Sequence, residues 1–367
     1  MNYSEKLQSL KNRRSISDDI KKQYIFDSSI NRQINESYLS LGESDPVKYA
    51  IGIMQALPKR YTEICFEEGE RVAASLKSSL KNEIGELTHE FQGSVPLDIH
   101  IKGVSDVDVL IFHPYLIAQV PRVNDSNYTT INDGLSMLDR MRNLRASSEV
   151  SLKKNYPAAF VDTTKAKAIN IKGGSLQREV DIVPAHWYDT IEYQRYGKLM
   201  DREVRIYDKD NHQTIANLPF KHMSKINDRD AYYNGNLKRV CRMLKNLKED
   251  SSSDRYELLE HLSSYDIASI AFHMGDELNC SEYFELSLII KVRDYLIEIS
   301  SNNCQKGKTL ITPDESRVII DSSEKGYALM ALAIEVSGLF DAVSNALGVE
   351  NDELTARRHI NNKALFL

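Results

Sequence analysis

The chain has 367 residues, of which 41% are hydrophobic and 27% charged, and its formal net charge is −6. These proportions are ordinary for a globular protein and exclude the disordered and fibrous classes. The length predicts two structural units, or one large unit with an elaborated second lobe. The acidic balance argues against a protein whose main task is to coat long nucleic acid.

Membrane and secretion signals are not found in the sequence. The most apolar segment, residues 327–340, contains Glu335 and Ser337, so it falls short of the roughly 18 uninterrupted apolar residues of a spanning helix. The first residues lack the apolar core and cleavage site of a signal peptide, which predicts a cytoplasmic protein. Four cysteines lie far apart and without zinc spacing, which predicts buried, reduced thiols: Cys65, Cys241, Cys280 and Cys304.

The first half of the chain changes its periodicity several times. Residues 3–90 are mostly helical in pattern, with a long amphipathic run over residues 58–89. Short β-branched runs within residues 95–112 predict the first strands. Helical periodicity returns over residues 124–152.

A hairpin signal follows. Residues 168–171 and 178–183 have strand patterns and flank Gly173 and Gly174. Because Gly-Gly tolerates positive φ, the pattern predicts a β-hairpin with a primed turn. The remaining sequence is first charged and turn-rich and then mainly helical. The order of elements predicts an α/β (α+β) fold, in which a mixed sheet is followed by a helical lobe and the active site lies in the cleft between them.

Two carboxylates, Asp106 and Asp108, are two positions apart in a predicted strand, so both side chains leave the same face. Two strand positions correspond to roughly 6–7 Å, and at an effective dielectric constant near 20 the repulsion is about 2–3 kcal/mol. Water and salt offset this repulsion if the strand face is simply solvated. If the face lines a cleft, a hard divalent cation is the natural partner, since Mg²⁺ binds carboxylate oxygens.

Two further features favour a cleft. Gly93 and Ser94 form a small turn whose N–H groups and hydroxyl can approach a phosphate, although such a pair is more often an ordinary turn. Asp181 lies on a later predicted strand, with Glu179 on the same face. Three converging carboxylates are what two-metal phosphoryl transfer requires.

The segments that carry these residues, 92–111 and 179–185, resemble the nucleotidyltransferases of the polymerase-β-like superfamily. In particular they resemble the group of cyclic GMP-AMP synthases and bacterial dinucleotide cyclases (CD-NTases) that act in anti-phage signalling (CBASS). The resemblance implies a polymerase-β-like core with a C-terminal helical lobe.

The resemblance also implies roles for the acidic residues and the glycine-serine turn. Asp106 and Asp108 would bind two Mg²⁺ ions, for which Mn²⁺ can substitute, and Asp181 would complete the metal site near the acceptor hydroxyl. Gly93 and Ser94 would contact the donor triphosphate.

A predicted helix of the C-terminal half carries a basic stripe. Lys238, Arg242 and Lys245 fall within about 60° of each other at 100° per residue. The stripe is either the solvated face of a surface helix or a surface that neutralises a triphosphate. The helix and the Ser-Ser-Tyr that follows are similar to the animal cyclic GMP-AMP synthases, which implies that Lys245 and Ser264 hold donor phosphates and that Tyr265 stacks on a base. Arg242 is assigned to nucleotide binding with them. The alternative for Ser264 and Tyr265 is a helix N-cap followed by a packed aromatic.

These inferences predict two domains: residues 1–215 as the nucleotidyltransferase core with N-terminal helices, and residues 216–367 as the helical lobe. The expected enzyme is a Mg²⁺-dependent nucleotidyltransferase that makes a cyclic di- or oligonucleotide messenger from ATP and other NTPs and releases pyrophosphate. Its product would activate a separate effector protein. The zinc-binding insertion of the animal enzymes has no counterpart here, so neither a double-stranded DNA activator nor a membrane partner is expected.

Three alternatives stay open at the level of the sequence. The enzyme could make linear oligoadenylates or add nucleotides to RNA. The chain could be a catalytically inactive nucleotide-binding sensor. The acidic residues could bind a purely structural ion.

Overall fold

The computed structural model describes residues 2–14, 36–128, 133–301, 305–350 and 352–366. The helical prediction for residues 15–35 and the thiol of Cys304 therefore lie outside the described residues. The chain divides into two compact units. The helical unit comprises residues 1–57, 99–104 and 228–367, and the sheet unit comprises residues 58–98 and 105–227.

The described residues contain eight strands and fourteen α-helices. The strands are β1 Thr88–Gln92, β2 Val107–Phe112, β3 Ile117–Ala118, β4 Phe160–Asp162, β5 Ile169–Lys172, β6 Val180–Asp189, β7 Glu203–Asp208 and β8 Gln213–Asn217. The helices are α1 Tyr3–Arg14, α2 Ser37–Ser40, α3 Asp45–Gly52, α4 Lys59–Leu80, α5 Met137–Asn155, α6 Ile191–Tyr196, α7 Pro219–Tyr232, α8 Asn236–Glu249, α9 Ser253–Leu259, α10 Ser264–Phe272, α11 Ser287–Ser300, α12 Gln305–Thr309, α13 Ser323–Ala346 and α14 Glu353–Asn361.

Strand β6 is the centre of the mixed sheet. One of its edges pairs in parallel with β2 and then β3, and the other pairs antiparallel with β5 and then β7. Pro184 is tolerated in this central strand because pairing with β5 ends at Ile182 and pairing with β7 begins at Ala185. The missing N–H of the proline falls in that gap, where it removes no ladder hydrogen bond.

Three sequence-based assignments near the start of the sheet are wrong. The amphipathic run over residues 58–89 ends as a helix at Leu80, and Thr88–Gln92 is strand β1, paired with β2. Ile99 and Ile101 lie outside the strands and belong to the helical unit. Cross-strand pairing with β2 decides the conformation of β1, since its short polar sequence has no strong local preference.

The predicted hairpin is confirmed as the antiparallel pair of β5 and β6, and Gly173 and Gly174 both have positive φ. Its connection is longer than a primed turn, since Ile171 lies opposite Val180. The hairpin of β7 and β8 lies in the stretch that the sequence predicts to be charged and turn-rich. These two strands are short and partly exposed, and the charged, turn-forming residues between them obscure the alternation that marks a strand.

The two faces of the sheet carry different cores. On one face, alternate residues of β2 and β6 pack against the apolar stripes of α4 and α5, with Val107, Val109 and Ile182 fully buried. On the other face a smaller cluster includes Phe112 and Trp187, whose rings stack at 3.9 Å between centroids. This second cluster covers the later part of both strands, and their first residues on that face are acidic.

The helical unit is built around α13, which packs against α3, α8, α9 and α11. Helix α1 packs against α3, and both helices belong to the same unit as the C-terminal helices. The domain boundary predicted at residue 215 groups these N-terminal helices with the sheet instead. In the described part of the chain, α13 is the one helix long and apolar enough to cross a membrane, yet 56% of its most apolar window is buried. Its Glu335 pairs with Lys6 and Arg255, an arrangement typical of a core helix.

Candidate active site

Three carboxylates predicted from the sequence lie at the same end of the sheet. Asp106 directly precedes β2 rather than lying within it, and Asp108 is the second residue of that strand. In the parallel register of β2 and β6, Asp108 lies opposite Asp181. Because side chains alternate along a strand, Asp108 and Asp181 leave the face opposite to Val107, Val109 and Ile182. Strand pairing therefore brings together acids that are more than 70 residues apart in the chain.

Negative charge is in excess at this end of the sheet. Burial, together with the neighbouring carboxylates of Asp181 and Glu179, raises the pKa of Asp106 to about 6, although Lys165 and Lys172 partly offset the rise. An acid whose charged form is disfavoured in this way gains from a nearby cation. The electrostatics thus favour the binding of positive charge beside Asp106.

Asp181 is held by two neighbours that sequence reasoning missed. The amide Nδ2 of Asn170 donates to Oδ1 of Asp181 at 2.8 Å, and Nζ of Lys165 lies 3.1 Å from its Oδ2. Asn170 lies directly opposite Asp181 in the hairpin. It could have been found as the polar residue between Ile169 and Ile171 in a predicted strand, whereas Lys165 lies outside the strands and carries no such signal.

The glycine-serine turn lies against the acids. Gly93 follows β1 and has a φ of +81°, and a Cβ at this position would collide with Oδ2 of Asp108. Only glycine lets the backbone approach the carboxylate this closely at positive φ. Ser94 is buried. The structure therefore places the predicted phosphate-binding turn beside the predicted metal-binding acids.

The acids at this end of the sheet suit a divalent cation by their residue type, although their side chains are not arranged around a common point. Carboxylate oxygens are the ligands that Mg²⁺ prefers, and the Lys165 ammonium already places a positive charge at Asp181. Within the described residues, no group of three His, Cys, Asp or Glu side chains is close enough together to hold a metal ion. The carboxylates present are thus of the kind that binds magnesium, and in this structure one of them, Asp181, is paired with Lys165.

The basic stripe of α8 is not a solvated surface. Arg242 and Lys245 are 6% and 4% exposed, and Nε of Arg242 donates to the backbone oxygen of Met54 at 2.8 Å. Lys238 lies 3.8 Å from Asp230 and is partly exposed. The interpretation of the stripe as an ordinary surface face is therefore wrong for Arg242 and Lys245.

Helix α10 packs against α8 and begins at the predicted Ser-Ser-Tyr. Ser263 is the N-cap, and it forms a capping box with Asp266. The capping role considered for Ser264 therefore belongs to its neighbour, and Ser264 is exposed. Tyr265 is half-buried, with the Arg317 guanidinium 5.5 Å from its ring centroid. Burial raises the pKa of Tyr265.

The predicted nucleotide-binding residues thus fall into two groups. Gly93, Ser94 and the three acids lie together in the sheet unit. Arg242, Lys245, Ser264 and Tyr265 lie on two packed helices of the helical unit.

The mixed sheet, with acidic residues on two adjacent parallel strands beside a glycine turn, defines a nucleotidyltransferase of the polymerase-β-like class. A solved structure supports this class. The STING-associated CdnE c-di-GMP synthase from Capnocytophaga granulosa matches with a TM-score of 0.68 and 28% identity, over 92% of this chain and 97% of that one.

Two relatives are also similar in sequence. The cyclic dinucleotide synthase CdnE of Yersinia aleksiciae is 38% identical over 312 residues, which cover 84% of this chain and 80% of the relative. A c-di-GMP synthase of Lachnospiraceae bacterium (strain RUG226) is 31% identical over 259 residues, 65% of this chain and 71% of the relative. No protein-family model matches the chain.

The chain therefore belongs to the bacterial cyclic dinucleotide synthases named CdnE, within the CD-NTases. The resemblance inferred from the sequence is confirmed. The protein is an enzyme, a nucleotidyltransferase that synthesises a cyclic oligonucleotide.

Proposed function

We propose that the enzyme makes c-di-GMP from two molecules of GTP. Three relatives, 31%, 29% and 25% identical to the chain, carry the name c-di-GMP synthase. The sequence predicts ATP as a substrate, with other NTPs as further candidates, and GTP replaces ATP in the present proposal. One observation carries the catalytic part of the proposal. The strand register places Asp108 opposite Asp181 and close to Asp106, in a region of excess negative charge.

We infer that Asp106, Asp108 and Asp181 hold two Mg²⁺ ions. When bound, these ions would neutralise the donor phosphates and lower the pKa of the attacking hydroxyl. A ribose hydroxyl of one GTP would then form a bond to the α-phosphorus of the other while the bond to pyrophosphate breaks. The same exchange, repeated within the linear intermediate, closes the ring and releases a second pyrophosphate.

The chain's own residues have positioning roles in this proposal. Asn170 orients the Asp181 carboxylate through its hydrogen bond. Gly93 and Ser94 present the turn to the donor triphosphate. The close approach of Gly93 to Asp108 supports this role, since phosphate and metal ligands must lie side by side.

In the helical unit, we propose that Lys245 and Ser264 bind donor phosphates and that Tyr265 stacks on a base. The exposed Ser264 supports this role, since Ser263 forms the helix cap. Arg242, bonded to the Met54 carbonyl, is proposed to position α8 beside them. Replacement Lys245→Ala should raise KM for GTP and should lower the melting temperature only slightly. An unchanged KM would show that Lys245 is not part of the site.

Product analysis tests the proposal directly. Purified enzyme is incubated with each α-labelled NTP alone and with all four together, with Mg²⁺, and the products are treated with phosphatase and identified by mass. We expect a phosphatase-resistant product of the mass of c-di-GMP from GTP alone. A requirement for ATP or a pyrimidine nucleotide would contradict the base assignment, and a phosphatase-sensitive product would indicate a linear oligonucleotide. The variant Asp106→Asn/Asp108→Asn is the matched control.

A biological role is suggested by one solved structure, at 28% identity, whose name describes a STING-associated synthase. We propose that the product acts in the cytoplasm on a separate effector protein in anti-phage defence. Cells that carry the enzyme together with an effector that responds to its product should survive phage challenge, and cells with the double variant should not. Equal survival of both strains would contradict this role.

A further inference from the structure

A second cavity lies in the sheet unit, beyond the far end of β2. It has a volume of about 700 Å³, and of the eleven described residues that line it two are arginines and none is acidic. Pockets of this size hold ligands of a few hundred daltons. Six residues of extended chain separate Asp108 from Pro114 at the cavity wall, a path of roughly 20 Å. The cavity is therefore distinct from the acidic cluster.

Each arginine of the cavity lies over a tyrosine. The Arg140 guanidinium is 4.6 Å from the ring centroid of Tyr115, and the Arg122 guanidinium is 5.4 Å from that of Tyr128. Stacking on an aromatic ring orients a guanidinium and leaves its charge in place. The N–H donors at the edge of such a group match a phosphate in geometry and charge.

The two arginines differ in their pairing. Arg140 is neutralised by a close ion pair with Asp133. Arg122 is 3.7 Å from Asp125, whose side chain is 86% exposed, and its buried Nε has no hydrogen-bond partner among the described residues. A weak pair with a solvated carboxylate neutralises little charge. Arg122 is thus the cation that lacks a close anionic partner in this cavity.

The wall around Arg122 is fixed by hydrogen bonds. Gln194 accepts from the backbone N–H of Val123 at 2.9 Å and donates to the backbone oxygen of Gln119 at 2.9 Å. The hydroxyl of Tyr128 donates to the buried carboxylate of Asp189 at 3.1 Å. The loop that carries Arg122 is tied to α6, whose Gln194 also donates to the backbone oxygen of Asp189, and the ring of Tyr128 is tied to the end of β6. This wall is therefore fixed before any ligand arrives.

We propose that this cavity binds a small ligand that carries a phosphate beside a flat aromatic ring, as a nucleoside monophosphate does. In this proposal Arg122 binds the phosphate, and apolar side chains such as Ile117 and Leu135 contact the aromatic ring of the ligand. Both side chains line the cavity and are partly exposed, Ile117 by 39% and Leu135 by 50%. The site is separate from the synthesis of the cyclic product and does not depend on it.

The test is calorimetric titration of the full chain with GMP. The Asp106→Asn/Asp108→Asn background and EDTA are used so that metal-dependent binding at the acids is removed. We expect GMP to bind, with guanosine and inorganic phosphate each binding at least tenfold more weakly. Arg122→Ala should weaken GMP binding at least tenfold, whereas Arg195→Ala, which removes an exposed arginine of α6, should leave it unchanged.

A second cavity variant keeps the test valid if Arg122→Ala does not fold. Leu135→Glu places a negative charge at a half-exposed wall position, so it should weaken GMP binding tenfold without affecting the core. In the otherwise wild-type enzyme, Arg122→Ala should make product from GTP within twofold of the normal rate, which separates this proposal from that of the active site. The proposal is overturned if GMP does not bind, if both cavity variants bind it normally, or if inorganic phosphate binds as tightly as GMP.

Discussion

The buried acids of the helical unit and the acids at the end of the sheet have different ionic partners. In the helical unit, Asp250, Asp266 and Glu335 are each at most 4% exposed, and each contacts at least one arginine. At the end of the sheet, Asp106 has neighbouring carboxylates that raise its pKa, and Asp181 forms a salt bridge with one lysine of the described residues, Lys165.

This difference separates acids that stabilise the fold from acids for which we propose a bound cation. Oδ1 of Asp266 forms ion pairs with the Arg317 guanidinium at 2.6 Å and with Nζ of Lys325 at 3.5 Å. Asp266 also completes the capping box of α10. Its charge is compensated within the chain. At the end of the sheet the compensation is incomplete, so removal of negative charge there should favour folding, while in the helical unit it should oppose folding.

The largest expected effect is loss of synthesis in Asp106→Asn/Asp108→Asn. Removal of both proposed metal ligands should lower the rate of product formation on the order of 10³-fold or more. The melting temperature should not fall, because the substitution relieves repulsion between like charges. Product formation from labelled GTP and thermal unfolding measure the two quantities. Retained synthesis would remove these acids from the active site, and a large loss of stability would contradict the comparison between the units.

Asp266→Asn should have the opposite profile. The amide leaves Arg317 and Lys325 without their carboxylate, and breaking a buried ion pair in this way costs about 3 kcal/mol of unfolding free energy. Chemical denaturation measures this loss. The control Asp254→Asn changes an exposed acid in the first turn of α9 and should alter stability by less than about 0.5 kcal/mol. If both variants are equally stable, Asp266 is not a structural acid.

Gly93→Ala tests the approach of the turn to the acids. The added Cβ collides with Asp108, so kcat should fall about 10–100-fold through displacement of that carboxylate. Gly197→Ala is the matched control, since Gly197 has a φ of +65° but faces open space. It carries the same backbone penalty without the collision and should keep normal activity. Equal activity of the two variants would show that the contact with Asp108 is unimportant.

The smallest effect is a thermal shift with Mg²⁺. A ligand at about ten times its Kd stabilises the folded state by about 1–2 kcal/mol, so Mg²⁺ should raise the melting temperature of the wild-type enzyme by a few degrees. Asp106→Asn/Asp108→Asn should show no shift, while Asp266→Asn should start lower and shift by the normal amount. A shift that persists in the double variant would place the ion elsewhere.

Much of the sheet unit could be predicted from its apolar strands. The apolar residues around Asp108 and Asp181 marked β2 and β6, because nearly every residue of these strands is buried. Strand β1 and the hairpin of β7 and β8 were missed. Their sequences are polar and short, and they become strands because a neighbouring strand supplies hydrogen bonds to their backbone.

The sequence by itself determined which chemical groups are present: three acids on predicted strands, a glycine turn and a basic helix, in an order that resembles one enzyme family. Tertiary structure decided what surrounds each of them. The parallel register of β2 and β6 set Asp108 opposite Asp181, and Lys165 and Asn170 were recruited from outside both strands. Contacts between residues distant in the chain depend on how elements pack, and neither periodicity nor residue type encodes that packing locally.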